Sequence, residues 1–313
     1  MGHGARDGRN AIDAPRRRGE RVLVGSFFEE STQVARADDG SYVGAIDEGW
    51  NLRPLPQGGV VTALALRAME AELDDPGQRL RTLHTTFVAQ VPHGPVEIDV
   101  ETLRRGRSMS HLRAEVRPTG ASRGHLTTAV FGSPRRGFEF TDVRCPPGLP
   151  VPADCPSFRD PLPDDVEPFE PMPFWDHVDG RPALGHPFWE LYEPEAAERA
   201  GWYRFDDAPM RADGTVDPLS LVVLSDFMPG AVGERTGGSG ASAQPWFGPS
   251  VDLTVHLLAP CRSEWVLCHN TARHAGDGYA SADMSIWDCG PTGADEPVLV
   301  AYATQLFFFS FLD

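Results

Sequence analysis

Three polar residues stand in apolar stretches where their chemistry would be strongly felt. Asp226 closes the run Leu221-Val222-Val223-Leu224-Ser225-Asp226-Phe227, near the end of an apolar helix. A carboxylate at a helix C-terminus opposes the dipole by about 0.3–1 kcal/mol, and burial there lifts its basicity toward that of a useful general base. Gln305 lies in Tyr302-Ala303-Thr304-Gln305-Leu306-Phe307-Phe308-Phe309, the most apolar strand of the chain. A buried amide must satisfy its donors and its acceptor, either by holding a water or by bonding neighbouring backbone. Ser250 opens a stretch that alternates cleanly, with Val251, Leu253, Val255 and Leu257 on one face and Ser250, Asp252, Thr254 and His256 on the other. That polar face lines a site or faces solvent, and Asp252 is an alternative base.

Two further groups fit an electrophilic role. Gly58 and Gly59 precede a helix, where backbone N–H groups can polarise a carbonyl oxygen as it becomes an oxyanion; tight turn geometry is the plainer reason for glycine. Arg104, Arg105 and Arg107 form a compact basic cluster suited to an anionic ligand, or a hairpin of solvated arginines. Other patterns fail. Gly248-Pro249-Ser250-Val251-Asp252 lacks the last glycine of a nucleophile elbow and precedes a strand. Gly237-Gly238-Ser239-Gly240 lacks the strand-to-helix setting of a phosphate loop. His269 and His274 lack further ligands for a metal.

The elements that must position these residues repeat. A helical run opens at Gln57-Gly58-Gly59 and carries Val60, Val61, Leu64, Ala65, Ala68 and Met69 on one stripe; strands are expected over 80–91, 96–104, 108–117 and 124–132. Asp217-Pro218 starts a second helix running over 219–228, followed by strands over 250–258, 264–273, 279–287 and 298–309. Between the two sets, a proline-dense segment reads as an extended linker. The expected division is a disordered tail over 1–20, an N-terminal unit over 21–133, a linker over 134–198 and a C-terminal unit over 199–313. A helix so apolar has to be wrapped by a sheet, so the fold class is α+β: two tandem hotdog units, each an antiparallel sheet around a central helix.

Composition narrows the partners. The 313 residues carry a net charge of −17, which disfavours nucleic acid or an anionic membrane surface as the main partner. All 28 basic residues are arginine. No stretch approaches the ~20 apolar residues of a membrane span. The five cysteines contain no Cys-x-x-Cys pair and fit a reducing cytoplasm.

The order of short motifs then resembles one family. Pro56-Gln57-Gly58-Gly59, Leu83-His84-Thr85-Thr86-Phe87 and Leu103-Arg104-Arg105-Gly106-Arg107-Ser108 resemble the N-terminal half of the acyl-CoA thioesterase II family, and more closely its actinobacterial thioesterase-like branch. Asp217-Pro218-Leu219, Leu224-Ser225-Asp226, the stretch from Ser250 to His256, Thr271-Ala272-Arg273-His274 and Ala303-Thr304-Gln305-Leu306 continue the likeness over the C-terminal half. The resemblance implies a double hotdog that hydrolyses acyl-CoA to free acid and CoA with an Asp, a Thr or Ser, and a Gln that position and activate water. By position these fall on Asp226, Ser250 and Gln305, with no metal, no cofactor and no covalent intermediate. Leu253 stands where that enzyme type often has His, and Ala129 aligns with Gln305, so one working site per chain is expected. The acyl chain would enter between the two units, past a Gly-rich loop over 235–245, in fatty acid metabolism, with further association into a homo-oligomer. Two readings stand beside hydrolysis. One is a hotdog hydratase or tailoring enzyme of secondary metabolism: such hydratases use a catalytic His with an acid, and His84, which aligns with Asp252, keeps that reading open. The other is an acyl-CoA-binding protein without activity.

Overall fold

The computed structural model describes residues 25–311 except 53, 165, 167–171, 188–191 and 238–245. The tail 1–20 and most of the 235–245 loop fall outside the described residues. The first unit comprises α1 (Phe27–Ser31), β1 (Ala35–Arg36), β2 (Tyr42–Ile46), α2 (Gly58–Leu73), β3 (Arg79–Phe87), β4 (Gly94–Arg104), β5 (Met109–Pro118) and β6 (His125–Gly132). The second comprises β7 (Val178–Leu184), β8 (Glu198–Phe205), α3 (Pro218–Leu224), α4 (Gly230–Thr236), β9 (Trp246–Phe247), β10 (Ser250–Leu257), β11 (Val266–Gly276), β12 (Tyr279–Asp288), β13 (Val298–Phe308) and β14 (Ser310–Phe311).

One continuous antiparallel sheet runs β1-β2-β4-β5-β6-β3-β10-β13-β12-β11-β8-β7. Outward from its centre, β3-β6-β5-β4-β2-β1 on one side matches β10-β13-β12-β11-β8-β7 on the other. Each half therefore has the same connectivity: an edge hairpin, a helix, a central strand and a three-stranded meander. The halves join where β3 pairs with β10, with Thr85 opposite Leu253 and His84 opposite Thr254.

Helix α2 explains why the sheet must curl. Val60, Val61, Leu64, Leu66 and Met69 are wholly buried, and burial extends round the helix from Gly59 to Leu66, with only Arg67, Glu70, Ala71 and Glu72 reaching solvent in its last turns. At roughly 1.5–3 kcal/mol for each large apolar side chain, this is a major part of the core. The helix packs on β2, β4, β5 and β6 of its own unit and on α3 of the other.

Three features depart from the sequence expectations. The second helix stops at Leu224, not at 228, because Pro229 cannot continue a helix and disfavours helical backbone in the residue before it; the chain re-enters a helix as α4. The segment 134–198 is more than a linker: it holds β7, the partner of β8, and buries Phe174 completely. The strands β2 and β8, one at the outer side of each unit, add to the four long strands that periodicity gives each half.

Candidate active site

Helices α2 and α3 pack side by side and antiparallel, with Arg67 of α2 paired to Asp217 at the start of α3, and the carboxylate lies where the start of α2 meets the end of α3. Asp226 follows Ser225, the C-cap of α3, and is 9% exposed. Ser250 Oγ donates to its Oδ1 at 2.9 Å, and Gln305 Nε2 donates to the same oxygen. Gln305 Nε2 also donates to Ser250 Oγ at 2.9 Å, closing a three-membered ring of contacts. A carboxylate only accepts hydrogen bonds, so the amide nitrogen must face it and Gln305 Oε1 must point elsewhere. That oxygen is buried and has no partner among the described residues.

Gly58 and Gly59, the first residues of α2, border the carboxylate, and their backbone amides pull its pKa down. The end of α3 opposes a negative charge, but the start of α2 favours it, so Asp226 sits on the stabilising pole of a second helix. Burial pushes its pKa up to about 6, against the pull of Ser250, Gln305 and the two glycine amides. At pH 7 the group is still mostly ionised, yet more basic than an ordinary carboxylate. Gly58 and Gly59 thus act on the carboxylate in this structure.

A β-bulge brings Ser250 to this face. Leu253 opposes Gln305 and Asp252 opposes Leu306, but Ser250 opposes Phe307, because the register shifts between Ser250 and Asp252. Directly opposed residues of an antiparallel pair share a face, so Ser250 joins Gln305 and the fully buried Phe307 on the inner side. Simple alternation would put Ser250 with Asp252. Asp252 instead accepts from the Leu306 backbone amide at 2.8 Å, stitching the bulge. It does not join the trio.

The other candidates lie apart. His84 is on the exposed outer face, 2.9 Å from Thr254 Oγ1 and 3.3 Å from Thr86 Oγ1. The basic cluster is at the far end of α2: Arg105 Nη2 donates to Leu73 O, the last residue of the helix, at 2.6 Å. Fifteen residues of helix separate Leu73 from Gly58, or about 22 Å. Arg104, Arg105 and Arg107 are exposed there, and the structure does not bring them to Asp226.

Several residues of the site carry no clear mark in the sequence. Gln57 caps α2 and donates through Nε2 to Val223 O at 2.7 Å. Asn270 Nδ2 donates to Phe227 O at 3.1 Å, and the Phe227 ring stacks on Trp175 at 5.5 Å and Tyr203 at 5.3 Å. Phe87 bears on Gly58 and meets His125 edge to face at 4.7 Å. Burial drives the His125 pKa down to about 3, so that imidazole is neutral. Only the Pro56-Gln57-Gly58-Gly59 run offers a signal, a polar cap before two glycines.

The fold is a double hotdog, with a buried, basic carboxylate fixed by a hydroxyl and an amide at the seam of its two units. Comparison places the chain in its family. Residues 46–132 match the acyl-CoA thioesterase N-terminal domain and residues 152–309 the acyl-CoA thioesterase C-terminal domain; the chain belongs to the acyl-CoA thioesterase family. Among solved structures it is similar to a hot dog fold protein of unknown function from Alicyclobacillus acidocaldarius, at 24% identity and TM-score 0.73 over 92% of this chain and 99% of that one. A putative thioesterase II from Thermobifida fusca superposes with TM-score 0.70 at 20% identity, over 92% of this chain and 99% of that one. An acyl-CoA thioesterase II from Mycobacterium marinum gives 0.64 at 18%, over 91% and 99%. These likenesses show the fold. No curated protein matches the chain in sequence.

Proposed function

We propose that the protein hydrolyses acyl-CoA by direct attack of a water held between Asp226 and Gln305. The observation that carries this reading is the contrast within the trio. Asp226 is surrounded by donors, while the buried Gln305 Oε1 accepts from no described residue. A water that donates one hydrogen to the carboxylate and the other to Oε1 would turn a lone pair outward. Attack forms a C–O bond at the thioester carbonyl while Asp226 takes the water proton. Collapse of the tetrahedral intermediate breaks the C–S bond, and the proton passes from Asp226 to the departing thiolate. Ser250 and Gln305 orient the base. As the carboxylate gains its proton it needs the Gly58 and Gly59 amides less, and the positive end of α2 becomes available to the developing oxyanion.

The hydratase reading loses its support at His84, which faces the outer surface. The binding-protein reading leaves a costly arrangement unexplained, since a carboxylate held buried and ionised destabilises the fold and ligand binding alone gives no reason to keep it. A panel of acyl-CoA esters of increasing chain length, assayed for free thiol, tests the proposal. Thiol release with at least one ester is expected. Tight CoA binding without release from any ester would favour the binding protein and refute hydrolysis.

A further inference from the structure

The trio accounts for what touches the water, but not for what holds Asp226 against α2. Asp226 lies beyond the helical hydrogen-bond pattern, where its amide makes only a 3.3 Å contact to Val223 O. Its position relative to Gly58 therefore depends on how the end of α3 is tied to the start of α2. The Gln57 side chain makes that tie. Gln57 is 3% exposed; its Oε1 accepts from Val60 N at 3.1 Å, an amide of the first turn of α2 shared with the Gln57 carbonyl. Its Nε2 donates to Val223 O at 2.7 Å and approaches Asp226 O at 3.4 Å. The two halves of the molecule are thus clamped by one amide, 166 and 169 residues from its partners along the chain.

We infer that Gln57 is a positioning residue for the reaction: its side-chain amide clamps the Asp226 turn onto the N-terminus of α2, so that the Gly58 and Gly59 amides stay on the carboxylate. Both ends of the amide are needed, one to cap α2 and one to hold α3. The close fit of the seam supports this. A side chain at Gly59 would meet Val222 O and the Val223 Cα at 2.7 Å and Gln57 Oε1 at 2.9 Å, so the helix ends approach as closely as backbone allows. The consequence for Asp226 is electrostatic. The groups that set its protonation are Ser250, Gln305, Gly59 and Gly58, with no charged side chain among them; the imidazole of His125 lies beyond Phe87 and is neutral. Loosening the clamp removes two of those four restraints.

This inference rests on Asp226 being the base. Two variants test it: Gln57→Met, which keeps the length of the side chain and loses both bonds, and Gln57→Glu, which keeps the acceptor for Val60 N and loses the donor to Val223 O. Profiles of kcat against pH from about 4.5 to 8.5, with thermal melting of the same samples, are the readout. Wild type should lose activity as pH falls through about 6. Both variants should show kcat reduced roughly 10- to 100-fold with KM changed less than about threefold, as befits a displaced base and an intact binding surface. Their acid limb should move to higher pH, and Gln57→Glu, which buries a second carboxyl against Val223 O, should also melt below wild type. An unmoved limb in Gln57→Met, which adds no charge, would overturn the positioning role whether or not kcat falls. If instead Asp226→Asn kept full activity, the base assignment itself would fail, and the two failures are told apart by that control.

Discussion

Asp226→Asn should lower kcat by about 10³-fold with little change in KM, and yet should not destabilise the protein at neutral pH. The rate loss follows from removing the group placed to take the water proton, the effect expected of a general base. The stability effect has the opposite sign because the native carboxyl group binds its proton more tightly than the unfolded one. Its pKa is about 6 when folded against an ordinary value of 3.8, so folding takes up protons between these values and wild-type stability falls as pH rises through that window. Above pH 6 the buried charge costs on the order of 2–3 kcal/mol, since each pH unit between the folded and unfolded pKa is worth about 1.4 kcal/mol. Asparagine removes that cost, offset partly by its amide hydrogens facing the Gly58 and Gly59 amides. Melting temperatures across pH 4 to 8 check this. Wild type should gain on the variant as pH falls below 6, by about 1 kcal/mol for each pH unit. A variant much less stable than wild type at pH 7.5 would mean that Asp226 serves the fold more than the reaction.

The second large effect is expected at the glycine pair, with a difference between its members. At Gly59 an added Cβ would strike the backbone of α3, which cannot yield locally. Gly59→Ala should push the two helices apart, costing about 2–4 kcal/mol of stability and more than 10²-fold in kcat. At Gly58 the obstacles are side-chain atoms, the Phe87 ring at 2.6 Å and Asp226 Oδ2 at 2.8 Å. Gly58→Ala should therefore spare stability more while still displacing the carboxylate. Denaturant unfolding of both variants, alongside kcat, checks the order. Equal stability losses with unaffected rates would show that the seam does not position the base.

The repeat of one helix and four long strands is readable in the chain, because an apolar helix and alternating strands carry their own periodicity. All eight long strands stand within a few residues of their expected positions. Short outer strands are not readable: β2, Tyr-Val-Gly-Ala-Ile, is too brief to show a period. Asp226 and Gln305 stand out as polar groups in apolar runs, and the resemblance supplies their partnership with Ser250. The bulge that turns Ser250 inward leaves no trace in alternation, since an added residue simply changes which face follows. The clamp at Gln57 is invisible for a different reason. It joins residues more than 160 positions apart, across a seam that exists only once both units have folded. The arginine cluster misleads because charge density says nothing about which end of a helix a hairpin reaches.

The most direct test of Asp226 as a base that activates water is a single turnover in H2 18O with enzyme in excess over acyl-CoA. Direct attack places one 18O in the released acid and none in the protein. Acid released without the label, with 18O in the peptide that contains Asp226, would show instead that the carboxylate attacks the thioester and forms an anhydride, and would contradict the account.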